Sequence, residues 1–456
     1  MNLQGKTVLV AGCGISGIAA VNLLYEKGIR TILYDSNDKL EAAEIAGRLA
    51  DGVQTEILLG EMTEGTIRRT DVLVLSPGIP MDLPFVEAFR SAGIPIIGEI
   101  ELAYLCGKGR VIGITGTNGK TTTTALTGQI MKNYFDSVFV VGNIGIPYTG
   151  VAAEMTKDTV TVAEISSFQL ETIDSFCPQV SAVLNVTPDH LNRHHTMEKY
   201  IQAKEDIAKN QRKDQVCILN YDNANTRRMA EHIRASVLFF SRLEKLEQGV
   251  CLDQEQIVYR DNGRTEVICP LSAMQLVGNC NVENVMAASA IAVSMGVPTE
   301  IIEKTIREFK AVEHRIEFVK EVNGVRYYND SKGTNPDAAI QGIQAMDRPT
   351  VLLAGGYDKQ SEYDEWLKAC EGKVKALVLI GQTREKIQQA AMRHRITNIL
   401  LKDTFEEAMK ECEQQAESGD AVLLSPACAS WGMFDNYEQR GNLFKEYVRG
   451  IQEHEK

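Results

Sequence analysis

Val111-Ile112-Gly113-Ile114-Thr115-Gly116-Thr117-Asn118-Gly119-Lys120-Thr121-Thr122 reads as an apolar strand, a glycine-spaced turn and the first turn of a helix. That order is the chemistry of a phosphate loop. Gly116 and Gly119 let backbone N–H groups converge on phosphate oxygens, Lys120 brings a point charge to the outer phosphates, and Thr121 brings a hydroxyl suited to Mg²⁺. Ile114 stands where the first glycine of G-x-x-x-x-G-K-T would be. Because strand, loop, Lys-Thr and helix still occur in order, the stretch predicts ATP or GTP binding rather than a bare turn.

Outward from this loop, short β-branched runs alternate with helical stretches along the chain, which predicts α/β layering with mostly parallel sheets. An earlier strand, Thr7 to Ala11, turns through Gly12-Cys13-Gly14-Ile15-Ser16-Gly17 into a helical stretch and then reaches Thr31 to Tyr34, ending at Asp35. This is the G-x-G-x-x-G spacing of a dinucleotide-binding turn, with Asp35 where an acid meets a ribose hydroxyl. NAD, FAD and UDP-sugars all carry the diphosphate such a turn holds, so the spacing leaves the ligand open, and leaves a purely structural turn open too. A third series of strands starts at Val325-Arg326-Tyr327-Tyr328. With boundaries near residues 98 and 311, the expectation is an α/β chain of three domains: Rossmann-like over 1–98, a central phosphate-loop domain with a mostly parallel sheet over 99–311, and Rossmann-like again over 312–456.

The 456 residues carry 48 Lys and Arg against 61 Asp and Glu, a net charge of −13. Nucleic acid would meet no overall basic field, so an anionic ligand must be held by local groups. No apolar run approaches the roughly 20 residues that span a bilayer, which argues against membrane insertion. Met1-Asn2-Leu3-Gln4-Gly5-Lys6 lacks the charged start and long apolar stretch of a signal peptide. Ten cysteines lie between Cys13 and Cys428 without a C-x-x-C pair. A cytoplasmic protein with reduced, mostly buried thiols is expected.

Polar residues at strand ends extend the case. Val160 to Ala163 leads to Glu164, and Ala182 to Val186 leads to Asp189-His190, so both groups should emerge at the carboxyl edge of the sheet beside the phosphate loop. A carboxylate and an imidazole there suit Mg²⁺ bridging phosphate and substrate oxygens; solvated loop ends are the plainer alternative. Lys204, on a helical stretch from Tyr200 to Ala208, reads by itself as an exposed surface lysine. In the third series, strand ends give Asp330-Ser331-Lys332-Gly333-Thr334-Asn335, then Gly355-Gly356-Tyr357-Asp358-Lys359, then Ser425-Pro426-Ala427-Cys428-Ala429-Ser430. Two lysines and several hydroxyls suit an acidic small molecule. Cys428 reads as a packed thiol, since no His in this region sits in a motif that would activate it.

Taken together, T-G-T-N-G-K-T at 115–121, G-N-I-G at 142–145, E-I-S-S-F-Q-L-E at 164–171, N-V-T-P-D-H at 185–190, H-R at 314–315 and N-D-S-K-G-T-N at 329–335 resemble the Mur ligases along essentially the whole chain. D-S-K-x-T-N with L-S-P-A-C-A-S at 424–430 resembles the branch of that family that adds D-glutamate.

The resemblance implies an ATP-dependent amide ligase. The γ-phosphoryl group would pass to the carboxylate of UDP-N-acetylmuramoyl-L-alanine, and the D-glutamate amine would attack the acyl phosphate. It further implies that Gly116, Thr117, Asn118, Gly119, Lys120, Thr121 and Thr122 hold the ATP phosphates, with Asn281 and Asn284 facing the adenine, Asp330 the ribose and Arg315 the phosphates. Two Mg²⁺ ions are implied, one on Thr121 and Glu164, the other on His190 and a carbamylated Lys204. Gly14, Ile15, Ser16, Asp35, Ser36 and Gly78 would meet the UDP part, and Asn143 and His190 the muramoyl-alanine part. D-Glutamate would meet Lys332, Thr334, Lys359, Ser430 and Tyr437. Lys120, Glu164, His190, Lys204, Arg315 and Lys332 would form the catalytic set of a monomer acting on small molecules. Asn192, Gly432 and Tyr437 depart from the family pattern, where an acid, an acid and a Phe would stand. Two other classes stay in view: a nicotinamide oxidoreductase, which leaves the phosphate loop without work, and a nucleotide switch, which has no need of the lysines after residue 330.

Overall fold

The structure, a computed structural model, describes residues 1–143 and 145–452. The strand before the phosphate loop, Arg110–Thr115, is buried after its first residue and lies third from one edge of a nine-stranded sheet. Val180–Val183 and Val160–Glu164 flank it in parallel, and Val138–Gly142 forms the edge beyond Val160–Glu164. In the other direction the sheet runs through Val216–Asn220 and Ser236–Ser241 and ends in the antiparallel strands Gly249–Asp253, Gln256–Asp261 and Arg264–Pro270. Parallel pairing requires crossovers that cover both faces. This explains why the central strands are buried almost end to end.

A five-stranded sheet precedes it, all parallel, in the order Glu56–Leu59, Arg30–Asp35, Thr7–Ala11, Val72–Leu75, Ile96–Gly98. Ala11 pairs with Tyr34 on one side and Leu75 on the other. The glycine turn, Asp35 and the Ser76–Gly78 segment therefore leave the sheet at one edge. A six-stranded sheet follows, in the order Glu317–Val322, Val325–Asn329, Ala421–Leu424, Thr350–Gly355, Val374–Ile380, Ile399–Leu401, antiparallel only at its first strand.

The chain divides into two compact units, Met1–Leu271 with Asn284–Ile306, and Ser272–Glu283 with Arg307–Lys456. In the first, one apolar core runs from Val8, Val10 and Leu24 through Ile100 and Leu102 to Ile165, Phe176 and Ile207, joining the first two sheets. Two buried acids from Glu99–Cys106 pin that junction. Glu99 Oε1 accepts from Thr149 N (2.7 Å) and Oγ1 (2.9 Å), and Glu101 accepts from the N–H groups of Asp174, Ser175 and Phe176, each at 2.9 Å. In the second unit, apolar clusters cover both faces of the six-stranded sheet, around Trp366 on one side and Phe444 on the other. Most cysteines are buried and no disulfide joins the described ones. No helix among the described residues is long and apolar enough to cross a membrane.

Candidate active site

The phosphate loop is clamped by the segment that follows Val180–Val183. Thr117 N donates to Asn185 O (2.9 Å), Asn118 N to Asn185 Oδ1 (2.8 Å), and Asn185 Nδ2 returns a bond to Asn118 O (3.1 Å). Thr117 Oγ1 accepts from Thr187 N (3.1 Å) and meets the Tyr200 hydroxyl at 3.2 Å. Gly119 caps the helix Lys120–Lys132 with φ +85°, and a Cβ there would lie 2.2 Å from Asn284 Oδ1. Left-handed backbone and a close side chain together require glycine. Lys120 Nζ donates to Gly116 O (2.8 Å) and Thr117 O (2.9 Å), and Thr121 and Thr122 are buried in the helix's first turn. Open N–H groups at such a helix start favour anions.

Glu164 ends its strand opposite Ile114. It is 1% exposed; Oε1 accepts from Asn143 Nδ2 (2.8 Å), while Oε2 has no hydrogen-bond partner among the described residues. A bare buried oxygen of this kind costs about 1–3 kcal/mol or more and fits a hard divalent cation. Mg²⁺ needs only one or two protein carboxylates, with water and phosphate in its other positions. One carboxylate, Glu164, and one hydroxyl, Thr121, are present even though the described residues hold no cluster of three His, Cys, Asp or Glu. His190 caps the short helix Leu191–His194 at φ +53°, its Nε2 3.6 Å from Asp189 Oδ2 and its ring edge-on to Phe168 at 5.0 Å. The side chain of Asn192 lies outside the described residues.

Lys204 overturns the expectation of an exposed lysine. It is 1% exposed on the helix Met197–Glu205, its Nζ donating to Gly116 O at 2.8 Å and lying 4.6 Å from the Tyr200 ring centroid. The reason is periodicity: Tyr200, Ala203 and Lys204 share the helix's buried face. Burial first, and the nearby Lys120 second, push the Lys204 amine well below the ordinary lysine range. Both lysines thus converge on one carbonyl oxygen.

At the first sheet's edge, Gly14 caps the helix Ile15–Glu26 and Ile15 is largely exposed. Asp35 Oδ2 accepts from Cys13 N and Oδ1 from Asn37 N, each at 3.0 Å, so the acid braces the turn. Ser36 and Gly78 are exposed at the same edge, and buried Ser76 Oγ between them and the turn has no partner among the described residues.

In the second unit, Asn329 and Leu353 both pair with Leu424, so three strand-end loops emerge together. Asp330 is buried, accepting from Ile316 N (3.2 Å) and Ser425 Oγ (2.7 Å); burial raises its pKa to about 6 despite the opposing charge of Arg315. Arg315 Nε is buried without a partner among the described residues, a donor suited to an anion. Lys332 Nζ lies 5.3 Å from the Tyr437 ring centroid, and Lys359 Nζ 5.5 Å from that of Trp431. Ser430 is buried and Thr334 half-buried. Cys428 is packed against Tyr363 and Thr383, its thiol pushed up by burial, as a structural cysteine would be. Asn281 and Asn284 lie one turn apart on the helix Asn279–Ser294, both buried.

Three residues have places in the site's geometry that the sequence reading did not give them. Asn185, a polar break in an apolar run, was visible as an anomaly. Tyr200 gave no signal except its spacing from Lys204. Arg440 is fully buried on the helix Tyr437–Gly450, donating to Ser331 O (2.8 Å), Ser331 Oγ (3.0 Å) and Cys428 O (3.4 Å), with burial lowering its pKa to about 10. It ties two ligand-edge loops together through their backbones.

Comparison with known proteins places these edges in one family. The Mur ligase MurD-like N-terminal domain matches residues 6–98, the Mur ligase middle domain residues 114–292, and the Mur ligase glutamate ligase domain residues 314–428. The chain belongs to the Mur ligase family and is an enzyme of the ligase class. A relative from Lachnoclostridium phytofermentans is 54% identical, covering 99% of this chain and 100% of its own, and one from Lachnospira eligens is 52% identical with the same coverage. Each of the two is a UDP-N-acetylmuramoylalanine--D-glutamate ligase. The fold also resembles MurF from Acinetobacter baumannii (TM-score 0.61, 16% identity, 92% of this chain and 91% of that one) and the UDP-N-acetylmuramate-alanine ligase of Thermotoga maritima (0.59, 17%, 98% and 100%).

Proposed function

We propose that this chain joins D-glutamate to UDP-N-acetylmuramoyl-L-alanine at the expense of ATP, a cytoplasmic step in building peptidoglycan precursors. It acts as a monomer on small molecules, with 1–98 holding the UDP part, 99–311 the ATP and 312–456 the amino acid. The observation that carries this reading is Lys204, buried against the phosphate loop with its amine pushed toward neutrality. A neutral amine reacts with CO₂, and the resulting carbamate is an oxygen ligand of the kind Mg²⁺ takes; a free ammonium there would repel the ion.

Thr121 and Glu164 would hold one Mg²⁺, and His190 with carbamylated Lys204 a second, supplying positive charge against the phosphates. Lys120 and the loop N–H groups orient the γ-phosphate, Arg315 adds a cation, and Asn281, Asn284 and Asp330 receive the nucleoside. Gly14, Ile15, Ser16, Asp35, Ser36 and Gly78 receive the UDP part, and Asn143 and His190 the muramoyl-alanine part. An acceptor carboxylate oxygen bonds to the γ-phosphorus as the bond to ADP breaks. The D-glutamate amine then attacks the acyl carbon, and phosphate leaves with the oxygen that came from the acceptor. Lys332, Thr334, Lys359, Ser430 and Tyr437 hold the amino acid.

A panel of amino acids tested for phosphate release with ATP, Mg²⁺ and the acceptor checks the reading. D-Glutamate alone should support turnover, because donors arranged for a second carboxylate reject ligands that leave them unpaired. Equal rates with D-alanine or L-lysine would contradict it.

A further inference from the structure

Trp431 is one of two tryptophans in the chain; the other, Trp366, is fully buried, whereas Trp431 is 55% exposed. A single exposed aromatic needs no explanation. Its partners do. The Lys359 ammonium lies 5.5 Å from the indole centroid, within cation–π reach, and the Tyr357 ring packs edge-on against the same indole at 5.4 Å. Lys359 and Trp431 come from different strand-end loops, and the backbone locks those loops together: Tyr357 N donates to Ala429 O at 2.9 Å, in an isolated antiparallel bridge. Gly356 permits that approach, since a Cβ there would sit 2.3 Å from Ala429 O.

The residue after the tryptophan, Gly432, holds φ +85° with open space around it. This left-handed conformation, rarely adopted by residues with a side chain, sets the direction in which Trp431 leaves the loop. An acid here would be strained and would stand next to the ring that Lys359 faces. Asp358 is engaged elsewhere, 3.4 Å from Lys386 Nζ, and among the described residues no carboxylate pairs with Lys359. A ring face holds an ammonium without neutralising it, so the charge stays available to a ligand.

We propose that Trp431 is a positioning residue for the amino-acid substrate, its indole face holding the Lys359 ammonium where it meets a substrate carboxylate beside Ser430. The inference rests on the proposed function and names how this chain shapes that site. The test compares Trp431→Leu, which removes the ring, with Trp431→Phe, which keeps one, in steady-state phosphate release with D-glutamate, together with Lys359→Met and the Trp431→Leu/Lys359→Met double variant. Thermal unfolding first establishes that each variant is folded, which the exposure of both side chains favours.

Trp431→Leu should raise the KM for D-glutamate about threefold to fivefold, the size of an exposed cation–π contact. Its kcat and its KM for ATP should stay within about twofold, and Trp431→Phe should recover most of the loss. Once Lys359 is methionine, removing the ring should change nothing further, because the two substitutions delete one interaction. An unchanged KM in Trp431→Leu, equal losses in the Leu and Phe variants, or losses that multiply in the double variant would overturn the inference while leaving the proposed function intact. Absence of D-glutamate-dependent phosphate release from the unsubstituted enzyme would overturn both.

Discussion

At the carboxyl edge of the central sheet, ionisable groups are buried or half-buried and turned onto the protein. Lys204 and Lys120 share the Gly116 carbonyl, and Glu164 keeps one oxygen bare at 1% exposure. At the carboxyl edge of the third sheet, Lys359 stands exposed on the face of Trp431, and buried Arg440 is spent on backbone carbonyls. On the proposed function, the groups assigned to the transferring phosphate are placed in advance by burial, where field strength is high. Those assigned to the soluble amino acid stay reachable and are steadied by rings, which leave their charge intact. Three lysines of the candidate site, Lys204, Lys332 and Lys359, each lie over an aromatic ring, but only the first is sealed in.

The largest expected effect lies at the central edge. Lys120→Ala should lower kcat about a hundredfold to a thousandfold, the cost of removing a donor aimed at developing charge. Calorimetric titration should find UDP-substrate binding nearly unchanged, since the glycine turn at Gly14 belongs to another sheet. Near wild-type kcat would remove Lys120 from the phosphates.

Lys204→Arg should be almost as severe, because arginine forms no carbamate and puts a fixed positive charge where the carbamate oxygens would stand. Wild-type activity should fall in CO₂-stripped buffer and return with bicarbonate, while the variant responds to neither. A ¹³C resonance from labelled bicarbonate, present in the wild type and missing from the variant, reads the modification directly; no such resonance would contradict it.

At the third edge the effects move from rate to stability. Arg440→Met leaves Ser331 O and Cys428 O without their buried donor and should cost about 1–3 kcal/mol in denaturant unfolding. The KM for D-glutamate should rise as the two loops loosen. An unchanged midpoint would mean that the guanidinium braces nothing.

Asp330→Asn changes only how stability depends on pH. Burial raises the Asp330 pKa to about 6 from 3.8, so the folded state holds its proton more tightly than the unfolded chain. The stability this confers is fully present below about pH 4 and is lost as pH rises through about 6. Wild type should therefore lose roughly 2 to 3 kcal/mol relative to the asparagine variant between pH 4 and pH 7. Parallel pH profiles would show that Asp330 is solvated.

The two edges also differ in what the sequence discloses. The phosphate loop, Glu164 and the three strand-end loops were legible because each is a polar break after an apolar run, and a parallel strand points such breaks to one edge. The alternation of strands and helices carried the layered fold in the same way. Arg440 was illegible for the converse reason, and Lys204 was reached only through the family resemblance: each sits on a helix among ordinary polar residues, and only the packed helix shows which face is inward. Trp431 hid because its meaning depends on Lys359, 72 positions earlier, brought alongside by the bridge between Tyr357 and Ala429. Glycines told more than their number: Gly119 and Gly432 each mark a left-handed turn beside a ligand edge.

In the proposed reaction the acceptor carboxylate takes up the γ-phosphoryl group before the amine attacks. Acceptor carrying ¹⁸O at both oxygens of its alanine carboxylate, turned over with ATP, Mg²⁺ and D-glutamate, reports that order through mass analysis of the products. One ¹⁸O should appear in each phosphate released and one should remain in the new amide. Unlabelled phosphate alongside amide formation would contradict it.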